Sequence, residues 1–213
     1  MPNPFCVMIY GMPSLRGVCQ AVQITDDYTL AMLHDDLTNM HDLLLTTTAY
    51  SISAPQVGLS KRMFVANLNN QIVFCINPVM QPMRAPDALA TDDYPTYDFP
   101  DGCISLPGIS ASVLRYTRVQ LTYQTLAGSG SSLALQNQNI LYTDHAAYVV
   151  QHEMDHLDGV MYFDHLGNGN GPGSLGYTYG ASNLTSSAFD SIANGNYSVP
   201  YRTKNLTNPQ CLF

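Results

Sequence analysis

The sequence predicts antiparallel β-sheet combined with two helices, and three observations carry that reading. Leucine and methionine recur at steps of three and four between Leu30 and Leu44, the spacing that places apolar side chains on one face of an α-helix. Two runs rich in Val, Ile and Phe, residues 62–68 and 72–79, flank Asn69-Asn70, a pair that tolerates the positive φ of a tight hairpin turn. A second helical stretch around residue 150 follows three more extended segments, with no parallel crossover unit among them.

Taken in order, residues 1–25 read as an irregular lead-in punctuated by Gly11, Pro13 and Gly17. Asp26 and Asp27 then open the first helix, where free N–H groups and the helix dipole favour an acid. Its stripe of Leu30, Leu33, Leu37, Met40 and Leu44 is expected to face the core, and His34 and His41, on the polar side, to be solvated. Residues 49–58 combine small residues with turn formers before the hairpin. Residues 81–100 are rich in proline and aspartate and are expected to form a loop or surface insertion. Asp101-Gly102-Cys103-Ile104-Ser105-Leu106-Pro107-Gly108 continues as a small-residue loop, followed by strand candidates at 112–118, 119–126 and 133–141. Gly128-Ser129-Gly130 is expected to turn the chain between the last two. Thr143 or Asp144 would cap the second helix, and Gly159 would end it in a left-handed conformation. From Gly167 onward Gly, Asn, Ser, Thr and Tyr dominate and apolar periodicity disappears. The folded domain is therefore expected at 1–166, and 167–213 as a poorly ordered or loosely docked tail.

A net charge of -8, with Lys61 and Lys204 the only lysines, argues against a nucleic-acid or anionic-membrane surface. No window approaches the roughly 18 apolar residues of a membrane span, and the first residues lack the basic start and apolar run of a signal peptide. The expectation is a cytoplasmic protein of bacterial type, or one in an organelle of bacterial origin, and not a secreted one. Cys6, Cys19, Cys75, Cys103 and Cys211 form an odd set without short paired spacings, which suits a reducing compartment better than a disulfide framework.

The chemistry concentrates in Gln151-His152-Glu153-Met154-Asp155-His156-Leu157-Asp158-Gly159. On a helix, His152 and His156 share one face and can grip one divalent ion, with Glu153 beside them. Glu153 is the only glutamate in the chain, and chance would produce this motif in roughly one chain in a thousand of such composition. Two imidazoles leave a catalytic metal short of a third protein ligand. No second glutamate exists to complete a thermolysin-like set, and Gly159 is followed by Val160, Met161 and Tyr162 where a metzincin needs histidine. Cys103 is then either the third ligand or a buried structural cysteine; spacing alone leaves both open.

Three segments in order, Ser53-Ala54-Pro55-Gln56-Val57-Gly58, Asp101-Gly102-Cys103-Ile104-Ser105-Leu106-Pro107 and the histidine motif, resemble the three signature motifs of the peptide deformylases. The resemblance takes in residues 10–16 and runs to about Leu166. It implies an α+β domain with mixed antiparallel sheets around a central metal-bearing helix. It implies one divalent ion held by Cys103, His152 and His156 with water in the fourth place, Fe(II) being the usual natural ion and Zn, Ni or Co able to replace it. It further implies removal of the formyl group from the N-terminal formyl-methionine of new polypeptides. Hydroxide attacks the formyl carbon, Glu153 carries the proton from water to the departing amine, and the Gln56 side chain and the backbone N–H of Ile104 meet the developing oxyanion. Ser51, Phe99, Gly102, Ile104, Tyr148 and Val149 are the candidates for the pocket around the substrate methionine.

Four departures qualify the likeness. Ala49 and Ser51 stand where the first motif usually has glycines, placing side chains where backbone approaches the substrate. Asp101 replaces the more usual glutamate before Gly-Cys and remains able to pair with Arg115. Ser110 stands where many bacterial members have arginine, and a tail with few charges (Asp190, Arg202 and Lys204) replaces the basic helix that touches the ribosome in many of them. Transient ribosome contact by that route is thus in question, with formyl-methionyl nascent chains the expected partner. An amide hydrolase of altered acyl or peptide preference, or an inactive metal-binding relative, are the alternative readings.

Overall fold

The computed structural model describes residues 3–88, 93–128 and 132–166, together with the backbone of 178–179 and 182–183. Helices α1 (Asp27–Leu44) and α2 (Asp144–Leu157) accompany strands β1 (Ser51–Ser53), β2 (Met63–Leu68), β3 (Gln71–Pro82), β4 (Thr96–Cys103), β5 (Leu106–Tyr116), β6 (Arg118–Ala127), β7 (Ala134–Thr143), β8 (Thr178–Tyr179) and β9 (Ser182–Asn183). They form a five-stranded sheet in the order β1-β2-β3-β6-β7 and a four-stranded sheet in the order β4-β5-β8-β9. Every strand pairing is antiparallel. This is the α+β arrangement expected.

The five-stranded sheet lies between the two helices, and β2 shows how the sequence arranges it. Its side chains alternate between faces. Met63 and Val65 pack with Leu33, Leu37, Met40, Leu43 and Leu44 of α1, while Phe64, Ala66 and Leu68 pack with Ala146, Ala147, Val150 and Met154 of α2. A strand buried on both faces has no polar alternation to show, which is why β2 reads as a continuous apolar run. Each fully buried Leu or Phe contributes roughly 1.5–3 kcal/mol. A third cluster joins Leu15, Leu106, Ile109, Val113, Met161 and Tyr162 beneath the four-stranded sheet.

Local chemistry explains the element ends. Asp26 caps α1, its Oδ1 accepting from Thr29 N at 2.8 Å while Thr29 Oγ1 accepts from Asp26 N at 3.2 Å. Asn69 and Asn70 take φ of 54° and 64° in the expected hairpin. Asn77, with φ 50°, sits in a bulge of β3 and clasps Val22 through both its amide atoms. Gly159 follows α2 with φ 74°, and a Cβ there would lie 2.7 Å from the carbonyl oxygen of Arg16, so the lead-in passes at this glycine.

Several expectations are corrected. Residues 81–100 are not simply a loop: β3 runs to Pro82 and β4 begins at Thr96. The segment 101–108 is not a loop either, since β4 continues through Cys103 and β5 starts at Leu106. β4 is an edge strand, and only an edge accommodates Pro100 without losing a ladder hydrogen bond. Residues 49–58 contain β1 and a short 3-10 turn, Ala54–Val57. Thr143 takes the cap position of α2 without a side-chain hydrogen bond. His34 is exposed as expected, but His41 is half-buried, edge-on to Phe74. Cys6 is disulfide-bonded, against the reading of the cysteine spacing, while Cys19, Cys75 and Cys103 are free. Ser129 and Gly130 of the expected turn lie outside the described residues, as does the tail apart from the backbone of β8 and β9, which pairs with β5 at Ile109 and Ser110. Among the described residues no helix is long and apolar enough to cross a membrane.

Candidate metal centre

One helix and one strand supply the centre. Helix α2 carries His152 and His156 one turn apart, and β4 delivers Cys103 at its last residue. Cys103 Sγ lies 3.2 Å from His156 Nε2, His156 Nε2 lies 3.1 Å from His152 Nε2, and the three donor atoms fall within 4.8 Å of one another. Bonds of about 2.0–2.3 Å in tetrahedral directions would set such atoms roughly 3.3–3.6 Å apart. The donor set therefore fits a single cation, and one thiolate with two imidazoles suits a borderline-soft metal. The sequence left Cys103 between ligand and structural cysteine; its sulfur faces both imidazoles.

A buried network orients the first of these ligands. Asp101 is wholly buried, and its Oδ1 accepts from His152 Nδ1 at 2.7 Å, leaving Nε2 to face the other donors. Tyr148 Oη donates to the same Oδ1 at 2.8 Å, and Arg115 Nη2 donates to Oδ2 at 2.7 Å. Arg115 Nη1 reaches Asp155 at 2.6 Å, and Asp155 also meets His165 Nε2 at 2.7 Å. Burial alone would push the Asp101 carboxyl up, but the adjoining His152 and Arg115 outweigh it and hold Asp101 well below the usual carboxylate range. Burial works against charge on His152 too, yet Asp101 beside it raises its affinity for a proton; His156, buried and next to His152, moves the opposite way. The Asp101–Arg115 pair was expected from the sequence, whereas the contact to His152 was not. Its signal was parity: Phe99, Asp101 and Cys103 alternate onto one face once the segment is read as a strand.

Glu153 is 1% exposed, and its Oε2 has no partner among the described residues. An orphaned buried acceptor next to three metal donors is a place where a water or substrate proton would be received. Burial raises its pKa above the ordinary carboxylate value, opposed by His152 and by the nearby Ser51 and Ser53. Gln56 approaches from the 3-10 turn, where Pro55 favours the first turn and Ser53 caps it. Ser53 N and Oγ hold Gln56 Oε1 at 2.8 and 3.1 Å, so its Nε2 is directed at Cys103 Sγ and Ser105 Oγ, each at 3.2 Å. Ser53 and Ser105 are thus site residues that the sequence reading passed over as loop.

The remaining candidates divide. Ile104 follows Cys103 in the turn between β4 and β5 and is half-buried beside the α1 core. Gly102 is exposed on β4, and Ser51 is buried on β1 beside Glu153. Phe99 and Tyr148, both half-buried, stack with centroids 5.1 Å apart, next to the His152 ring. Val149 instead belongs to the core between α2 and the five-stranded sheet, with Phe64 and Ala66, because it points to the other side of the helix from Tyr148.

Comparison with known proteins bears on what this arrangement does. Residues 5–170 match the family model described as polypeptide deformylase. The peptide deformylase of Fusobacterium nucleatum is 34% identical over 160 residues, which cover 74% of this chain and 80% of that one. Among solved structures, the peptide deformylase of Thermus thermophilus superposes with a TM-score of 0.62 at 27% identity, covering 76% of this chain and 86% of that one. That of Synechococcus elongatus in complex with actinonin gives 0.58 at 27% identity, covering 78% and 80%.

Proposed function

Because the chain belongs to the polypeptide deformylase family, we propose that it removes the formyl group from the N-terminal formyl-methionine of nascent polypeptides. The observation that carries this reading is the convergence of Cys103 Sγ with the two Nε2 atoms of His152 and His156, with buried Glu153 beside them. Cys103, His152 and His156 would hold the ion, which when bound would act as a Lewis acid and lower the pKa of a water. The mixed sulfur and nitrogen donor set suits a borderline-soft divalent ion, and the family resemblance implies Fe(II) as the natural one, with Zn, Ni or Co as replacements.

The chain's own groups then do the following. Glu153, buried beside Ser51 and Ser53, accepts the proton that the attacking water gives up as its oxygen bonds to the formyl carbon, and returns it to the methionine nitrogen as the C–N bond breaks. Formate and a free amine result. Gln56 Nε2, already steered by Ser53 toward Cys103, and the backbone N–H of Ile104 stabilise the charge on the former formyl oxygen. Phe99 and Tyr148 wall the site on the β4 side, while the Ser51 side chain, where the family usually has glycine, restricts its other edge. We assign this chemistry to residues 1–166, acting on formylated chains in a bacterial-type cytoplasm or an organelle of bacterial origin.

The test is formate release by protein purified anaerobically, with formyl-Met-Ala-Ser, acetyl-Met and unblocked peptides compared. Turnover restricted to the formyl peptide supports the reading. Preferential release from acetyl-Met would make the protein an amide hydrolase of different acyl preference, and metal binding with no turnover of any would make it an inactive relative.

A further inference from the structure

We propose that Tyr148 is a positioning residue for the metal centre, acting through Asp101 on His152 and not merely lining the pocket. The inference rests on the deformylase reading for its consequence in catalysis, though its structural core does not need substrate. A carboxylate offers about four lone-pair sites, and in Asp101 they are contested. Oδ2 is taken by Arg115 Nη2 at 2.7 Å, while Arg115 Nε, on the same edge of the guanidinium, is buried without a partner among the described residues. A side-on fork from Nε and Nη2 to both carboxylate oxygens is the strong bidentate pairing that arginine favours. Adopting it would draw Oδ1 away from His152 Nδ1.

Tyr148 opposes that swing. Its hydroxyl donates to Oδ1 at 2.8 Å, on the very oxygen that receives His152 Nδ1 at 2.7 Å. Its ring is fixed against Phe99, centroids 5.1 Å apart and planes 24° from parallel. Through Asp101 Oδ1 the phenol of α2 thus reaches β4 two residues before Cys103. Tyr148 precedes His152 by one helical turn, which puts both on one face of α2. The requirement is sharper here because the acid is an aspartate, one methylene shorter than glutamate, with less freedom to satisfy arginine and imidazole together. The hydroxyl thereby keeps the proton on His152 Nδ1 and the Nε2 lone pair toward Cys103 and His156.

The experiment is Tyr148→Phe, which removes the hydroxyl and keeps the stacked ring. Loaded with Zn or Co(II), the full-length variant is expected to lose metal to a chelator about tenfold faster than wild type, within the range for partners of metal ligands. Its Co(II) visible spectrum should shift, and kcat should fall while KM for formyl-Met-Ala-Ser stays within about twofold. Phe99→Leu, which disturbs the stack and spares the hydroxyl, is expected to loosen the metal much less than Tyr148→Phe does. Unchanged metal retention and spectrum in Tyr148→Phe would overturn the proposal, as would equal loosening by Phe99→Leu, since packing would then be the cause. Metal retention is read without substrate, so a wild-type protein that releases no formate would refute the deformylase reading and leave this inference standing.

Discussion

The two halves of the metal centre are built in contrasting ways. On one side, α2 presents His152 and His156 from a single helical turn, backed by a core of Phe64, Ala66, Val150 and Met154 between helix and five-stranded sheet. On the other, Cys103 ends an edge strand of the four-stranded sheet and is held by Gln56 Nε2 and the backbone N–H of Ser105, at 3.2 and 3.4 Å. The helix supplies spacing through its backbone period, whereas the strand side supplies position through side-chain contacts made across long stretches of chain. The third donor therefore depends on contacts between segments far apart in the chain, whereas the first two depend only on helix geometry.

The largest effect should come from severing the two sides. Cys103→Ala leaves two imidazoles and is expected to abolish stable metal binding, lowering formate release by more than about a thousandfold, by metal analysis and activity on the same sample. If the variant held its ion as tightly as wild type, α2 alone would suffice and the contrast would fail. Next, Gln56→Ala should lose about 10²–10³ in kcat, because it removes a donor to the oxyanion, and it should hold the metal less tightly than wild type, because it also removes a hydrogen bond to Cys103 Sγ. A smaller loss would move that role to the Ile104 side of the turn. Leu37, fully buried where α1 meets β2, sharpens the comparison from outside. Leu37→Ala is expected to cost about 2–5 kcal/mol of stability by denaturant titration while leaving kcat/KM of the folded fraction unchanged. A matching loss of kcat/KM would show that the α1 face also shapes the site.

The same contrast governs what could be read from the sequence. α1 announced itself through its apolar period and the acids at Asp26 and Asp27, and the hairpin through Asn69-Asn70, because those signals are local. His152, Glu153 and His156 were legible for the same reason. β4 was not, since Pro100, Asp101 and Gly102 resemble a loop until the strand is known to lie at a sheet edge. With that strand hidden, the common face of Phe99, Asp101 and Cys103 stayed hidden too, and so did the hydrogen bond from His152 to Asp101. The Asp101–Arg115 pair could be foreseen from charge alone, while the steering of Gln56 by Ser53 depends on a 3-10 turn with no apolar period to reveal it. Val149 was misplaced because its apolar character fits a pocket wall and a core equally well.

The most direct test of the central claim, that Glu153 carries the proton at a metal centre built by Cys103, His152 and His156, is metal content and formate release measured together on Glu153→Gln, prepared without air. The expected result is wild-type metal content, with turnover of formyl-Met-Ala-Ser reduced by about 10²–10⁴ or more. Turnover that survives the substitution with the metal in place would contradict it.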